Sequence, residues 1–549
     1  MRATPLSTVL ALALAAGWPV AAASQEHEHA AAAAPAAAPA GEPEPLYDDL
    51  GTLHKKVTTT SPQAQRYFDQ GLRLTYAFNH DEAIRSFTEG TKLDPGCAMC
   101  WWGIAYGLGP NINLPMDTSL VRPAWDAVQQ AVQAAGGATP AERAYIEALA
   151  KRYGPEPVAD RAPLDSAYTD AMREVAKKYP GDPDAQALYA ESIMDLSPWH
   201  YWTDRGTVAR PGTDIVVATL ERTIRSAPNH PGACHFYIHI VEASTTPARA
   251  VPCAQRLAQL MPGAGHLVHM PSHIWMRTGR YDLVVSHNHD ATAQDEKFVA
   301  DRQPTGAYRF GYYPHNYHML YGGLSFLGRA DEAIAAARKT AAIEPVEVAR
   351  AVPVLEYFIP VPYFALARFG RWDEILAEPA PAAELRYTTG IWRYARALAL
   401  TGKARFPEAR VEQDSLLAII AATSPEQIVN FNSAKTMLQL AERHLAGRMA
   451  VAHADLPAAV AAYQEAMALE DGLVYEEPPA WYVPIREELG RAYFDAGQYA
   501  ESEKAFRDDL SYWRDNPWSM RGLARSLRRQ GRNPEAAELE KKLAQETPG

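Results

Sequence analysis

The sequence predicts an all-α fold, a solenoid built from helix-turn-helix units that repeat along the chain. Near the N-terminal end, a glycine, an alanine, a phenylalanine and a closing proline follow one another at 71, 83, 87 and 95. The prolines Pro228 and Pro262 each close a unit and lie 34 residues apart. The Gly-Arg turn at 279–280 recurs at 328–329, after one such period plus an insertion.

Each residue type in this unit has a packing role. Small residues let the two helices of a unit approach each other, and aromatic side chains fill the space between neighbouring units. The proline ends the second helix because its ring cannot continue the backbone hydrogen bonds. The same arrangement of small and aromatic residues recurs near the C-terminal end, at Leu489, Gly490, Tyr493 and Phe506.

These patterns resemble the tetratricopeptide-repeat (TPR) superfamily over nearly all of the chain beyond its N-terminal region. Trp101, Ile104 and Ala105 begin a unit in the manner of that family. The stretches CAMCWWGIAYGLGPNIN (97–113), HFYIHIVEAS (235–244) and YEEPPAWYVPIREELG (475–490) further resemble a group of exported bacterial repeat proteins. The resemblance implies a right-handed superhelix whose first helices line a concave groove, and a protein or peptide partner bound in that groove.

Composition excludes several classes of protein. The 549 residues are 47% hydrophobic and 21% charged, with a formal net charge of -12. An acidic chain without a basic stripe does not predict nucleic-acid binding. The sequence has no phosphate loop or dinucleotide fingerprint, so we expect no nucleotide cofactor. Beyond the N-terminus no apolar run is long enough to span a bilayer, so we expect no transmembrane segment in the mature chain.

The N-terminus predicts export. Arg2, an apolar stretch over 6–18 and small residues over 20–24 are typical of a cleaved signal peptide, here residues 1–24. We therefore expect a periplasmic or secreted protein. Residues 25–60 begin with an Ala- and Pro-rich stretch that predicts a flexible tether. Two TPR arrays would follow, an N-terminal array over 61–345 that carries the histidine-rich groove and a C-terminal array over 346–549.

Histidines recur with the repeat. Eleven of the 17 histidines lie between His200 and His318. His235 and His239 recur 34 residues later as His269 and His273, and His266 and His269 recur 49 residues later as His315 and His318. These are the intervals that relate the prolines and the Gly-Arg turns, so successive first helices place imidazoles at equivalent positions.

We expect these side chains to converge on one inner surface, with a carboxylate beside them. Imidazole is a common ligand of zinc and copper, the metals that the ligand types favour. The candidate metal ligands are His235, His239, Glu242, His266, His269, His273, His315 and His318. Eight candidates exceed the needs of one four-coordinate ion, so either two ions or several spectators are expected. Pro271 should kink the helix between His269 and His273.

Five further residues are candidates for the ligand groove. Glu191 and Asp195 could add carboxylates from the preceding unit, and Met276 follows Glu242 by 34 residues. Trp199 and His200 lie in an aromatic insertion over 197–212, which either covers the groove or packs against a neighbouring unit. A second insertion is predicted over 298–313.

The cysteines leave two interpretations open. Cys97 and Cys100 form a CxxC motif at a helix start, where a structural disulfide is favoured over a metal-binding thiolate pair. Cys234 and Cys253 fall on the two helices of one unit and could be bridged.

Three functions follow as alternatives. The first is a ligand-binding module whose groove holds a transition metal or a ligand through it. The second is a metal-dependent hydrolase or other metalloenzyme, in which a metal with an open position activates water and Glu242 or Glu191 acts as base. The third is a metal-free protein-protein interaction scaffold. The number of protein ligands on each metal would separate the first two, since three ligands and a vacant position favour catalysis.

Overall fold

The computed structural model describes residues 44–546. The predicted signal peptide and residues 25–43 of the predicted tether lie outside this range. The described chain is all-α, with helices joined into antiparallel hairpins along its length, so the predicted fold class is confirmed. Within residues 44–546, no helix has both the length and the hydropathy needed to cross a bilayer.

The helices of the first half build the hairpins that carry the histidines. In order they are α1 (Pro62–Tyr76), α2 (His80–Leu93), α3 (Ala98–Gly107), α4 (Val121–Ala134), α5 (Pro140–Leu149), α6 (Ala162–Lys178), α7 (Pro183–Met194), α8 (Thr213–Ser226), α9 (Pro231–Glu242), α10 (Val251–Leu260), α11 (Gly265–His269), α12 (Pro271–Arg277) and α13 (Tyr281–Arg302).

The helices of the second half continue the array. They are α14 (Tyr313–Leu327), α15 (Ala330–Ile343), α16 (Val346–Ala351), α17 (Val361–Arg368), α18 (Trp372–Ala377), α19 (Arg386–Gly402), α20 (Phe406–Ala422), α21 (Ala434–Ala452), α22 (Leu456–Asp471), α23 (Ile485–Asp495), α24 (Tyr499–Tyr512), α25 (Pro517–Arg529) and α26 (Asn533–Glu546). Short 3-10 segments cover Thr118–Leu120, Ala135–Gly137, Pro247–Ala250 and Pro353–Phe358.

Two small antiparallel ribbons interrupt the helices. Strands β1 (Trp202–Thr203) and β2 (Val208–Ala209) pair within the aromatic insertion over 197–212. Strands β3 (Ile428–Val429) and β4 (Asn432–Ser433) pair between α20 and α21. The first ribbon brings Trp199 against the histidines.

Close packing explains the glycine and phenylalanine positions of the repeat. Phe87 of α2 is fully buried between α1 and α3, where a Cβ on Gly71 would lie 2.6 Å from its ring and one on Gly103 2.5 Å from it. Phe506 of α24 occupies the same place between Gly490 and Gly522. Any larger residue at these glycines would push the hairpins apart, because interiors are close-packed.

The C-terminal units fold back onto the middle of the chain. The Trp518 indole Nε1–H donates to the Ser325 carbonyl at 3.1 Å, and the Tyr281 hydroxyl donates to the Arg514 carbonyl at 3.0 Å. Arg205 of the aromatic insertion forms an ion pair with Asp508 at 3.1 Å. These contacts hold the C-terminal units against the middle of the chain and against the insertion over 197–212.

The predicted tether is wrong for residues 44–60, which we call the N-terminal strap. Leu50 and Val57 of the strap are each 4% exposed. Lys55 forms ion pairs with Asp182 at 2.9 Å and with Asp184 at 3.1 Å. The Ala- and Pro-rich stretch ends before the strap, so apolar and charged side chains are available to pack it on the helices.

The predicted loop over 298–313 is also mostly helical. Helix α13 continues to Arg302, and a π-helical turn over Tyr308–Tyr312 leads directly into α14. Only 303–306 is irregular between them. The residues in excess of one period therefore lengthen two helices, because their apolar side chains, such as that of Tyr308, become buried.

We expect Lys55→Met to destabilise the protein by about 2 kcal/mol. Breaking a buried ion pair costs about 3 kcal/mol or more, and the partial exposure of this pair reduces that cost. The change would leave the carboxylate of Asp184, which is 7% exposed, without its cation. The melting temperature measured by calorimetry should fall clearly below that of the unaltered protein.

The adjacent Lys56 is exposed and provides the matched control. Lys56→Met should leave the melting temperature within error of the unaltered protein. An equal fall in both variants would show that the strap does not depend on the Lys55 ion pairs.

Candidate metal centre

Six buried or half-buried histidines converge in two groups of three. The first, triad 1, consists of His235 and His239 of α9 and His266 of α11. The second, triad 2, consists of His269 of α11, His273 of α12 and His315 of α14. In each triad the ligand atoms lie within 4.8 Å of one another.

In both triads the Nε2 atoms point at each other. In triad 1, His235 Nε2 lies 3.1 Å from His239 Nε2 and 3.1 Å from His266 Nε2. In triad 2, His269 Nε2 lies 2.8 Å from His273 Nε2 and 3.1 Å from His315 Nε2. Each triad thus gathers three ring nitrogens around one point.

The two triads are copies of each other in the repeat. Members of triad 1 recur in triad 2 at the intervals seen in the sequence, 34 residues for the α9 pair and 49 residues for His266. The chain breaks at Met270, between α11 and α12, where Pro271 begins the new helix. His266 lies before the break and contacts triad 1, whereas His273 lies after it and belongs to triad 2.

Hydrogen bonds to Nδ1 fix the tautomers of triad 1. The Tyr76 backbone carbonyl lies 2.7 Å from His235 Nδ1 and can only accept, so this nitrogen carries the proton. His239 Nδ1 lies 3.0 Å from Glu242 Oε1, an acceptor when ionised. Both neutral rings therefore present an unprotonated Nε2, and two lone pairs face each other.

The same holds in triad 2. His273 Nδ1 donates to Glu242 Oε2. His269 Nδ1 lies 2.7 Å from Asn288 Oδ1, and the Asn288 amide is oriented because its Nδ2 donates to the Val284 carbonyl and to Ser272 Oγ. His269 and His273 consequently face each other with bare Nε2 lone pairs.

Burial disfavours the protonated form of five of the six imidazoles. Desolvation, reinforced by the neighbouring imidazoles, holds the pKa of His235, His266, His269 and His315 well below the usual value. Desolvation also lowers the pKa of His239, although the Glu242 carboxylate opposes it. In the His235–His239 and His269–His273 pairs, each Nδ1 carries the proton of the neutral ring, so no proton separates the two converging Nε2 lone pairs.

Glu242 connects the two triads. Its side chain has no exposed surface, and its two oxygens accept from one histidine of each triad. Burial alone would raise its pKa, but the facing His273 and His239 lower the pKa to about 2. Its own backbone carbonyl accepts from Arg277 at 2.8 Å. The carboxylate is therefore an ionised bridge that orients both groups of ligands.

A second buried carboxyl group comes from the distant C-terminal half. Glu477 Oε2 lies 3.5 Å from His273 Nδ1 and has no hydrogen-bond partner among the described residues. Burial and the nearby Glu242 charge raise the pKa of Glu477 well above its usual value. Glu477 thus adds a second carboxyl group next to triad 2, and its surroundings oppose ionisation of that group.

Aromatic rings enclose triad 1. Phe78 stacks on His239 and His266, with ring centroids 6.1 and 5.6 Å away, and contacts His235 at 4.4 Å. Trp199 meets His239 edge-on at 5.2 Å. One of the two alternatives predicted from the sequence was that the insertion over 197–212 covers the histidines. The contact between Trp199 and His239 agrees with that alternative.

The expectation of an open groove at these residues is wrong. His235 and His269 have no exposed surface, and His239, His266 and His273 are at most 3% exposed. The folding back of the C-terminal units and the insertion over 197–212 bury the predicted inner surface. A peptide lying on the histidines would have to displace these elements.

Two predicted site residues lie apart from the triads. His318 packs against Tyr321 and Tyr357, with ring centroids 5.8 and 5.2 Å away. The position that would complete a third triad, 49 residues after His273, is Gly322, and a Cβ there would lie 2.7 Å from Pro478. Met276 is fully buried in the hydrophobic core beside Gly322.

The predicted carboxylates of the preceding unit also lie elsewhere. Glu191 accepts from the Tyr106 hydroxyl, and Asp195 pairs with Arg152 at 2.6 Å. Both belong to a separate buried cluster in which desolvation raises the pKa of each carboxyl. His200 is exposed and lines a cavity of about 350 Å³ beside the insertion over 197–212, and none of the six triad histidines lines that cavity.

Sequence reasoning missed Phe78, Asn288 and Glu477. Phe78 follows the first helix in a turn, and no periodicity marks it as a contact of residues more than 150 positions away. Asn288 lies in the helix after the Gly-Arg turn, and no motif or repeat interval in the sequence marks it as a partner of a histidine. Glu477 lies in the stretch YEEPPAWYVPIREELG (475–490), more than 150 positions after the triad histidines, and no repeat interval relates it to them.

Comparisons with known proteins show similarity in fold only. The chain is similar to the human IFIT1 dimer with PPP-AAAA, at 12% identity and a TM-score of 0.34, with 88% of this chain and 91% of that chain covered. It is similar to yeast Tom70, at 10% identity and a TM-score of 0.32, with 87% and 98% covered. For the P58(IPK) TPR domain the values are 9%, 0.22, 85% and 98%.

Similarity at this level carries no statement about function. No family model and no curated protein matches the sequence.

All four cysteines are in disulfides. Cys97 and Cys100 are bonded at the start of α3, with a Cα–Cα distance of 5.3 Å. Cys234 and Cys253 join α9 to α10, also with 5.3 Å between Cα atoms. In this state neither pair offers a thiolate to a metal. The second disulfide holds the start of α9 next to His235.

Proposed function

We propose that the protein binds two transition-metal ions, one in each histidine triad. One observation carries the proposal: acceptors on the Nδ1 side leave Nε2 lone pairs that converge without a proton between them. In triad 2, two such lone pairs lie 2.8 Å apart. Bare lone pairs at this distance repel each other. A cation at the centre of the triad would remove this repulsion, because both nitrogens would bind to it.

The spacing fits a metal ion. Two nitrogens 3.1 Å apart, each about 2.05 Å from a common ion, subtend an angle of about 100° at that ion. This lies between the ideal angles of octahedral and tetrahedral coordination. The third nitrogen of each triad lies within 4.8 Å of the other two, so three nitrogens can bind one side of an ion and leave the opposite side for another ligand.

The ligand chemistry favours zinc or copper. All six nitrogens belong to imidazoles, which suit zinc, copper, nickel and iron, and no thiolate is available because the cysteines are bonded. Glu242 would orient a ligand of each ion from outside, as carboxylates do for many metal-bound histidines. The two disulfides support the proposed export, since such bonds persist in oxidising compartments.

A metalloenzyme is the second candidate, and it rests on the number of ligands. Each triad supplies three protein ligands, as catalytic sites do, and a closed shell would need a fourth. The Glu477 carboxyl beside His273, whose Oε2 has no hydrogen-bond partner among the described residues, is a group that can hold or release a proton at the second ion. Neither Glu191 nor Glu242 fits the predicted role of base, because both are engaged in hydrogen bonds.

Metal content tests the main proposal. Untagged protein, loaded with zinc or copper and freed of excess ions, should contain two ions per chain by mass spectrometry. The double variants His235→Ala/His239→Ala and His273→Ala/His315→Ala should each retain one ion, because each removes two ligands of a single triad.

His318→Ala is the matched control, since His318 is a buried repeat histidine outside both triads. It should retain two ions. A protein that fails to bind zinc or copper at sub-micromolar concentration would refute the metal proposal and leave the metal-free interaction scaffold. Two ions in either double variant would place the metals elsewhere in the chain.

Glu242→Gln should weaken the binding of at least one of the two ions by about 10- to 100-fold. The amide can accept from only one of the two Nδ1–H groups. The other imidazole then meets an N–H donor and moves its own proton to Nε2, where it blocks the lone pair. Competition with a chromophoric chelator would measure both dissociation constants.

Glu487 is fully buried and pairs with Arg368 at 2.9 Å, far from the triads in the chain. Glu487→Gln therefore controls for the loss of a buried carboxylate. It should lower stability without changing metal affinity. If both variants bind metal equally well, Glu242 is not the shared orienting group.

Small anions separate the two candidate functions. In cobalt-loaded protein, azide that enters a vacant coordination position should shift the visible absorption, because it changes the ligand set of the ion. A shift at millimolar azide supports the metalloenzyme. A spectrum that does not respond at any azide concentration supports a closed binding site.

A further inference from the structure

A second cavity reaches triad 1 at His266. It has a volume of about 320 Å³, and His266 is the one triad histidine among its lining residues. The N-terminal strap forms one wall with 46–50, and α13 forms another with Lys297 and Asp301. Triad 1 therefore borders this cavity through His266 alone.

The inner end of this cavity contains two polar atoms without partners. Asn79 Oδ1 and His266 Nδ1 are buried and make no hydrogen bond among the described residues. Asn79 is 6% exposed and His266 is 3% exposed. Buried polar atoms normally have a hydrogen-bond partner. An unpaired oxygen and an unpaired ring nitrogen in the wall of one cavity therefore indicate that the cavity takes a polar or ionic ligand.

His266 is also the member of triad 1 whose tautomer is not fixed from the Nδ1 side. His235 and His239 each have an acceptor at Nδ1, whereas His266 has none. The His266 proton can therefore sit on Nε2 and be donated to the bare Nε2 of His235, 3.1 Å away. In that state the Nδ1 lone pair of His266 belongs to the cavity.

The outer end of the cavity is acidic. Asp48 and Asp301 are exposed, and Asp49 is partly exposed beside Lys297 at 3.8 Å. The remaining cation, Arg302, is already neutralised by Glu44 and by Glu82 at 3.2 Å. The mouth therefore carries a net negative charge, which attracts cations and raises their local concentration.

We propose that this cavity is the route by which a divalent cation reaches triad 1. The acidic mouth collects the hydrated ion, Asn79 Oδ1 replaces part of its water, and His266 is the first histidine that it meets. The ion then moves to the three Nε2 atoms as the His266 proton passes to Nδ1. This inference rests on the proposed metal function and concerns the rate of loading.

Stopped-flow loading with cobalt(II) alone tests the route, since its visible absorption reports binding to imidazole. The triple variant Asp48→Asn/Asp49→Asn/Asp301→Asn of the full chain should load about tenfold or more slowly at low salt, as expected when electrostatic steering is lost. Its final cobalt content should equal that of the unaltered protein. Its rate should also depend less on salt.

The control variant Asp126→Asn/Asp170→Asn/Glu174→Gln makes the same change in net charge at exposed positions, whose side chains are 55%, 66% and 68% exposed. It should load at the unaltered rate. Equal slowing of both triple variants, or no slowing of the first, would overturn the route. Asn79→Leu should slow loading through the inner end, and an unchanged rate in this variant would also count against it.

The outcomes distinguish a failure of the proposed entry route from a failure of the proposed metal-binding function. Normal cobalt content with unchanged rates removes the route alone. Absence of cobalt binding to the unaltered protein removes the metal function and the route together.

Discussion

The buried carboxylate of Glu242 is the interaction on which the histidine centre depends. It ties α9 to α12, because its two oxygens accept from His239 and His273. Burying an isolated carboxylate without exposed surface would cost free energy. The two imidazole N–H groups that donate to Glu242 offset that cost. The same two hydrogen bonds decide which nitrogen of each ring is free, so one side chain sets both the packing and the chemistry.

The repeat supplies the rest of the centre. Because each unit places its first helix in the same relation to the next, a pair of histidines four residues apart meets one histidine from the following unit. This happens twice and then stops. At the third unit Gly322 stands where a histidine would be needed, and Pro478 from the C-terminal half occupies the space. His318 is left alone among aromatic rings.

The fold and the register of the histidines could be predicted because both are local and periodic. The spacing of glycines and prolines indicated the hairpins, and equal intervals indicated which histidines are equivalent. Periodicity also predicted His318 in the site, but it does not show whether partner histidines exist, and among the described residues His318 joins neither triad. Glu191 and Asp195 lie apart from the triads because they bind Tyr106 of α3 and Arg152, which follows α5.

What the sequence could not show arises from contacts between distant segments. Glu477 and Phe78 reach the triads from far along the chain, and the return of the C-terminal units covers the groove. The strap over 44–60 follows a stretch of low complexity, and its few apolar residues gave no periodic signal. Such contacts depend on the curvature of the whole solenoid, which small rotations at each hairpin determine together.

The surroundings of the two triads differ although their ligands are copies. Phe78 lies against all three rings of triad 1, whereas triad 2 has Glu477 nearby and a half-buried His315. An apolar ring disfavours added charge, and a carboxyl that can ionise favours it. Duplication of a repeat has therefore produced a chemically asymmetric pair, in which two identical ions would differ in reduction potential and in ease of release.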